Sequence, residues 1–173
     1  MEALPHEKGE SDEAVRVETA AAAFARGDYA QVVRLAESDS EADAVLRVRA
    51  LANLDASAAA TTCERATARH PLSSELHFLH AVILFGSGRT DEAAGAMRRA
   101  LYLDRTLAIA HFTLGAILRR LGDDAGAARA VRNARDLCAA RNADDLIPLA
   151  DGERAGRLAE VATAELTLLG MNS

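Results

Sequence analysis

The side chains in this chain that could do chemistry are few: five histidines, two cysteines, and some paired acids and arginines. His77 and His80 stand three apart, a spacing at which two imidazoles share a helix face and could share a metal. His111 lies 34 residues beyond His77. A zinc site needs three or four ligands in a tetrahedron, and no Cys or carboxylate is spaced to complete one. Packing or local hydrogen bonding is therefore the expected role of all three histidines, with no metal and no cofactor. Cys63 and Cys138 lie far apart and read as small buried residues in a reducing compartment. No Ser sits in a Gly-x-Ser-x-Gly context, so no nucleophile is expected. Asp123-Asp124 falls at a helix start, where acids face the helix dipole favourably. Asp144-Asp145 falls in a loop. Arg98-Arg99 and Arg119-Arg120 come late in helices, where positive charge is favourable. Arg119 and Arg120 are also the residues best placed to meet an acidic partner. No catalytic residue is expected.

The elements that carry these residues are helices. Half of the chain is apolar, there is no Trp, and the aromatic share is 3%. The apolar residues are mostly Ala, Leu and Val, and Ala and Leu are strong helix formers. Prolines occur only at Pro5, Pro71 and Pro148. The patterning predicts helices over 13–26, 28–38, 41–54, 56–69, 74–87, 90–103, 108–121 and 124–140. A ninth spans about 153–169, with an apolar stripe of Ala155, Leu158, Val161, Ala162, Leu166 and Leu169. Asp151 is expected to cap it. No run of β-branched and aromatic residues reads as a strand.

Charge and targeting narrow the function classes. The net charge is −6, which disfavours nonspecific nucleic-acid binding. No signal-peptide core follows Met1 and no apolar run approaches membrane-spanning length, so a cytoplasmic protein without membrane contact is expected. Residues 1–12, with Glu2, Glu7, Glu10, Pro5 and Gly9, read as a solvated, disordered lead-in.

Superposing the chain on itself exposes a period. Gly88-Arg89-Thr90-Asp91 and Gly122-Asp123-Asp124-Ala125 lie 34 residues apart. That frame divides the chain into units 40–73, 74–107 and 108–141, after a shorter atypical unit over 13–39. Ala59, Ala93 and Ala127 become equivalent, as do Ala66, Ala100 and Ala134. Cys63, Met97 and Val131 share a site, Leu84 and Leu118 another, and Ala81 and Gly115 a small one. Thr90 and Asp123 are expected to cap second helices. These residues and this period resemble the tetratricopeptide (TPR) repeat family. The resemblance implies an all-α superhelix of antiparallel helix pairs over 13–143, with a loop and capping helix over 144–173. Small residues at the crossings let the helices approach.

A narrower resemblance covers roughly residues 70–165. Arg99-Ala100-Leu101-Tyr102-Leu103-Asp104, the run from Pro71 to Leu79, and Asp151-Gly152 through Gly156-Arg157-Leu158 are similar to the C-terminal repeats of CheR-type chemotaxis receptor methyltransferases. The Asp-Gly-x-x-x-Gly-Arg-Leu ending is the more specific part, since ordinary TPRs lack it. Arg105 departs from the family's usual Pro. The resemblance implies a regulatory domain that binds a methyltransferase domain, a chemoreceptor or a partner protein. The chain has no strand, Gly-rich loop and helix to hold adenosylmethionine, so no catalysis is implied here.

In such a repeat the first helices line a concave groove. The register places Ala44, Val48 and Leu51 there from one unit. The next gives Glu75, Phe78, Leu79, Val82 and Phe85, and the last gives Ile109, Phe112, Thr113, Ala116 and Arg119. Two readings stay open: the groove receives an apolar or amphipathic segment of a partner, or its aromatics cover a neighbouring helix such as the chain's own cap. A Lys and Asn clamp for the carboxylates of a chaperone tail is excluded, because Ala44, Val48, Phe78 and Val82 hold those places. The expected function is a non-catalytic protein-interaction module, either tuning a receptor methyltransferase or acting as a free-standing scaffold in a pilus, secretion or other assembly.

Overall fold

The computed structural model describes Val15 and residues 19–170; the lead-in expected over 1–12 lies outside the described residues. The chain divides into two compact units, Met1–Pro71 and Leu72–Ser173. Among the described residues every regular element is a helix, and the single β contact is an isolated bridge between Leu146 and Arg154.

The first unit holds a helix over described residues 19–25 (α1), then α2 (Tyr29–Leu35), α3 (Glu41–Leu54) and α4 (Ala56–Arg69). Gly27 ends α1 with φ at +76°, a conformation that favours glycine. Asp28 then caps α2 by accepting from the Gln31 amide at 3.1 Å. Ala23, Val32, Ala36 and Ala50 form the core here, with Phe24 and Tyr29 packed against it. Those two rings meet edge-on at 5.3 Å, and the Arg49 guanidinium lies over Phe24 at 4.3 Å.

Polar bonds hold the turn from α2 into α3. Asp43 is fully buried and accepts from the Ser38 amide at 2.9 Å and its hydroxyl at 2.5 Å. Arg47 donates to the carbonyls of Ala36 and Ser38 at 2.6 and 2.9 Å. A single residue, Asp55, then joins α3 to α4. It ends one helix in extended backbone and caps the next, accepting from the Ser57 and Ala58 amides.

The second unit contains α5 (Ser74–Gly86), α6 (Thr90–Leu103), α7 (Ala108–Arg120), α8 (Asp124–Ala139) and α9 (Ala155–Leu168). The turns after α5 and α7 repeat atom for atom. Gly88 donates to Phe85 and Arg89 to Leu84; 34 residues on, Gly122 donates to Arg119 and Asp123 to Leu118. Both glycines have positive φ, +79° and +81°. Asp123 caps α8 through the Gly126 amide at 2.7 Å, as expected. Thr90 does not cap α6. The frame itself shows why: Asp123 is equivalent to Arg89, so Thr90 is already the first helical residue. Arg89 makes no side-chain cap and binds Glu92 instead, at 2.7 and 2.5 Å.

The repeated small residues are buried where the register put them. Ala59, Ala93 and Ala127 are all fully buried, as are Ala100 and Ala134. At the Gly115 position a Cβ would lie 2.5 Å from the Val131 Cγ2, so α7 approaches α8 too closely for Ala. Ala81 and Met97 occupy the equivalent sites, where a flexible side chain leaves room for a methyl.

The segment after α8 folds back as a small hairpin. Ile147 donates to Glu153, Ala155 to Asp145 and Gly156 to Ala143. Gly152 and the non-glycines Leu149 and Asp151 turn it with positive φ. A Cβ on Gly156 would lie 2.9 Å from the Ala143 Cβ, so the two glycines of the Asp-Gly-x-x-x-Gly ending have separate steric reasons. Asp151 does not cap α9. The helix begins later, after Arg154, which makes no side-chain cap. α9 buries Ala155, Leu158, Ala162 and Leu166, and the last two join Ala128 and Val131 of α8 in one cluster. It covers the end of the repeat as the sequence required.

Candidate functional site

The residues expected along the groove fall into three groups. Val48 is fully buried in the first unit and Phe78 is 4% exposed in the second, so both are core residues rather than surface ones. Phe78 shares its cluster with Ala81, Ala110 and Ile117, and so joins α5 to α7. Ala44 is also buried and Leu51 half-buried. Phe85 and Ile109 are half-buried against the cluster that holds Phe78. Phe112 packs on two clusters that contain α9 residues, Ala155 with Leu158 and Ala162 with Leu166. The reading in which an aromatic covers the cap thus describes Phe112.

A second group is spoken for by polar bonds. Thr113 donates its hydroxyl to the Ile109 carbonyl at 2.8 Å, within α7. Arg119 pairs with Glu165 of α9, so its guanidinium already has an internal carboxylate. The third group is accessible. Leu79 is half-buried and Val82 is 40% exposed on α5, one turn apart. Thr113 and Ala116 hold the same repeat positions on α7 and are half-buried. Glu75 stands half-buried in the first turn of α5. An apolar surface with a carboxylate at its start is what remains of the expected groove in this unit.

The groups first considered for chemistry are engaged otherwise. The His111 ring nitrogen Nε2 lies 3.0 Å from the Arg105 carbonyl. His77 and His80 are half-buried on α5, less enclosed than their repeat positions implied. Among the described residues no three His, Cys, Asp or Glu side chains are grouped to hold a metal. Burial pushes the Cys63 thiol up to about 12, and burial raises Cys138 as well. Both are poor nucleophiles near neutral pH, because the thiolate is the reactive form. The Arg89 guanidinium, hydrogen-bonded to Glu92, holds that carboxyl below its usual range. No described helix is long and apolar enough to cross a membrane.

One feature of the first unit escaped the sequence reading. An open cleft of about 610 Å³ is lined by Ser38, Asp39, Arg47, Thr62, Arg65, Arg69 and His70, among others. Its signal was available: Arg47 stands where Ala81 and Gly115 stand in the later units, and Arg65 and Arg69 lie one turn apart.

No family model matches the chain, and no curated protein matches it either. Solved structures do. A MamA fragment, 41-end, from Desulfovibrio magneticus RS-1 is 18% identical, with 75% of this chain and 77% of that one covered, at a TM-score of 0.63. The type III secretion translocator chaperone SycD of Yersinia enterocolitica is 13% identical over 78% of this chain and 95% of that one, at 0.65. PcrH, solved with the chaperone-binding region of PopD, is 18% identical over 66% and 78%, at 0.57. These are TPR-like, all-helical proteins, and at such identities the likeness is one of fold. This chain has that fold: all-α, TPR type, with antiparallel helix pairs and a terminal capping helix.

Proposed function

We propose that the chain is a non-catalytic interaction module that holds an apolar segment of a partner protein against α5 and α7. The observation that carries this is that repeat-equivalent positions on the two helices stay accessible together: Val82 is 40% exposed, and Leu79, Thr113 and Ala116 are half-buried. The occupant is a short apolar or amphipathic peptide, since the accessible residues form a small apolar strip with one carboxylate, Glu75, at its start. The solved complex of PcrH with the chaperone-binding region of PopD supports a protein segment as the guest, because PcrH shares this fold.

Two readings of the partner remain. A free-standing scaffold in a secretion or other assembly is supported by the company of SycD and PcrH. Tuning of a receptor methyltransferase is supported by the Asp-Gly-x-x-x-Gly-Arg-Leu ending, whose glycines have the steric roles described above. The scaffold reading leads, because the secretion chaperones above share this fold. The test is a titration of wild type and Val82→Glu against candidate partner segments and against the cognate methyltransferase domain. A charge placed in a desolvated contact should weaken binding by about tenfold or more. Equal affinity of the two proteins for every segment that binds would remove α5 from the site. A change in methylation rate would restore the chemosensory reading.

A further inference from the structure

The cleft in the first unit is walled by three arginines and a histidine, and its polar groups are only partly matched from within. Arg47 spends two donors on the Ala36 and Ser38 carbonyls. Arg69 pairs with Asp39, but the two side chains are 57% and 78% exposed, where an ion pair holds weakly. Arg65, exposed on α4, has no hydrogen-bond or ion-pair partner among the described residues. The Nε2 of His70 is buried and has no hydrogen-bond partner among the described residues. A buried nitrogen without a partner is rare in folded proteins and calls for an explanation. Asp39 is the lone carboxylate on the lining. Asp43 sits behind Ser38, buried, and accepts from its amide and hydroxyl.

From these groups we infer that the cleft binds the carboxylates of an acidic peptide segment. Arg65 and Arg69 stand one helical turn apart on α4 and Arg47 comes from α3, so the lining offers several guanidinium groups to successive carboxylates. A volume of about 610 Å³ admits several side chains. This surface is separate from the apolar one on α5 and α7, and it takes the opposite chemistry. The acids come from a partner protein, and the chain's own Glu2, Glu7, Glu10, Asp12 and Glu13 are the alternative that the experiment removes.

The probe is a fluorescent hexaglutamate peptide titrated by anisotropy into the full chain at low salt. Saturable binding that weakens with added salt is expected. Arg65→Ala should weaken it by about fivefold to tenfold. Asp39→Asn should strengthen it, because the internal competitor for Arg69 is gone. Arg129→Ala, exposed on α8, is the control and should change nothing. A chain with Glu2, Glu7, Glu10, Asp12 and Glu13 changed to their amides separates the sources. Binding equal to wild type is expected, and tighter binding would overturn a partner as the occupant. The inference is overturned by equal affinity in wild type, Arg65→Ala and Asp39→Asn. It is also overturned by no saturable binding even in the amide chain, or by inorganic phosphate displacing the peptide at matched concentration.

Discussion

Cys63 shows how a single residue reports on the packing around it. Its thiol is fully buried beside the α4 backbone, where Thr67 donates to its carbonyl. Burial raises its ionisation to about 12 from the ordinary thiol value. A raised acid contributes its stabilisation fully below the unfolded pKa and loses it as pH climbs through the folded one. Stability should therefore decline between roughly pH 9 and 12, by something on the order of 4 kcal/mol from this group. A Cys63→Ser chain would show a shallower alkaline decline in urea melts. Below pH 8 a thiol reagent should leave Cys63 unmodified until the chain unfolds; rapid modification of the native protein would contradict its burial. Gly115 makes a second residue-level case. Gly115→Ala must push the Val131 side chain aside, and should cost about 1–3 kcal/mol by overpacking. Gly95→Ala, a helical site with open space, should instead stabilise slightly. A chemical-denaturation pair would read both.

At the scale of the helix, α9 has the clearest role. It covers α8 through Ala162 and Leu166, and Phe112 of α7 packs on the same cluster. Leu166→Ala should cost about 2–5 kcal/mol, since the side chain is 1% exposed. It should also raise binding of a hydrophobic dye; a loss below half a kcal/mol would mean that α9 does not close the repeat. The helices themselves were legible because each bears two independent signals, a period and an end. α3, α4 and α6 match the sequence reading at both ends, and α5, α7 and α8 differ by one residue. Caps were legible less well. Thr90 and Asp151 have the right chemistry for capping but sit one and three residues from the true N-cap positions, and a cap works only at one place in the turn. The groove was legible only as equivalence. A repeat register says that Phe78 and Phe112 are alike. It does not say how far the next helix covers each, and neighbouring helices bury Phe78 while leaving Val82 in the open. The arginine-lined cleft was illegible for the opposite reason: a repeat register marks what recurs, and Arg47 breaks the recurrence.

For the whole molecule, the division into two compact units sets how damage should spread. Repeat proteins hold themselves together through near neighbours, so a lesion loosens its own unit before a distant one. The buried Asp43 offers a local lesion. Asp43→Ala would strip the Ser38 amide of its acceptor at the turn into α3 and leave the Ser38 hydroxyl only the Ser40 hydroxyl. Orphaning such groups costs about 1–3 kcal/mol. Native-state hydrogen exchange would locate the effect. Amides of α2 and the first turns of α3 should exchange faster, and those of α7 and α8 should keep their rates. α2, with seven residues, is too short to hold by itself and should respond first. An equal loss of protection from Tyr29 to Leu168 would show that the chain unfolds as one cooperative body. The peptide titrations would then read a single coupled molecule, and the apolar strip and the charged cleft could not be assigned to separate units by mutation alone.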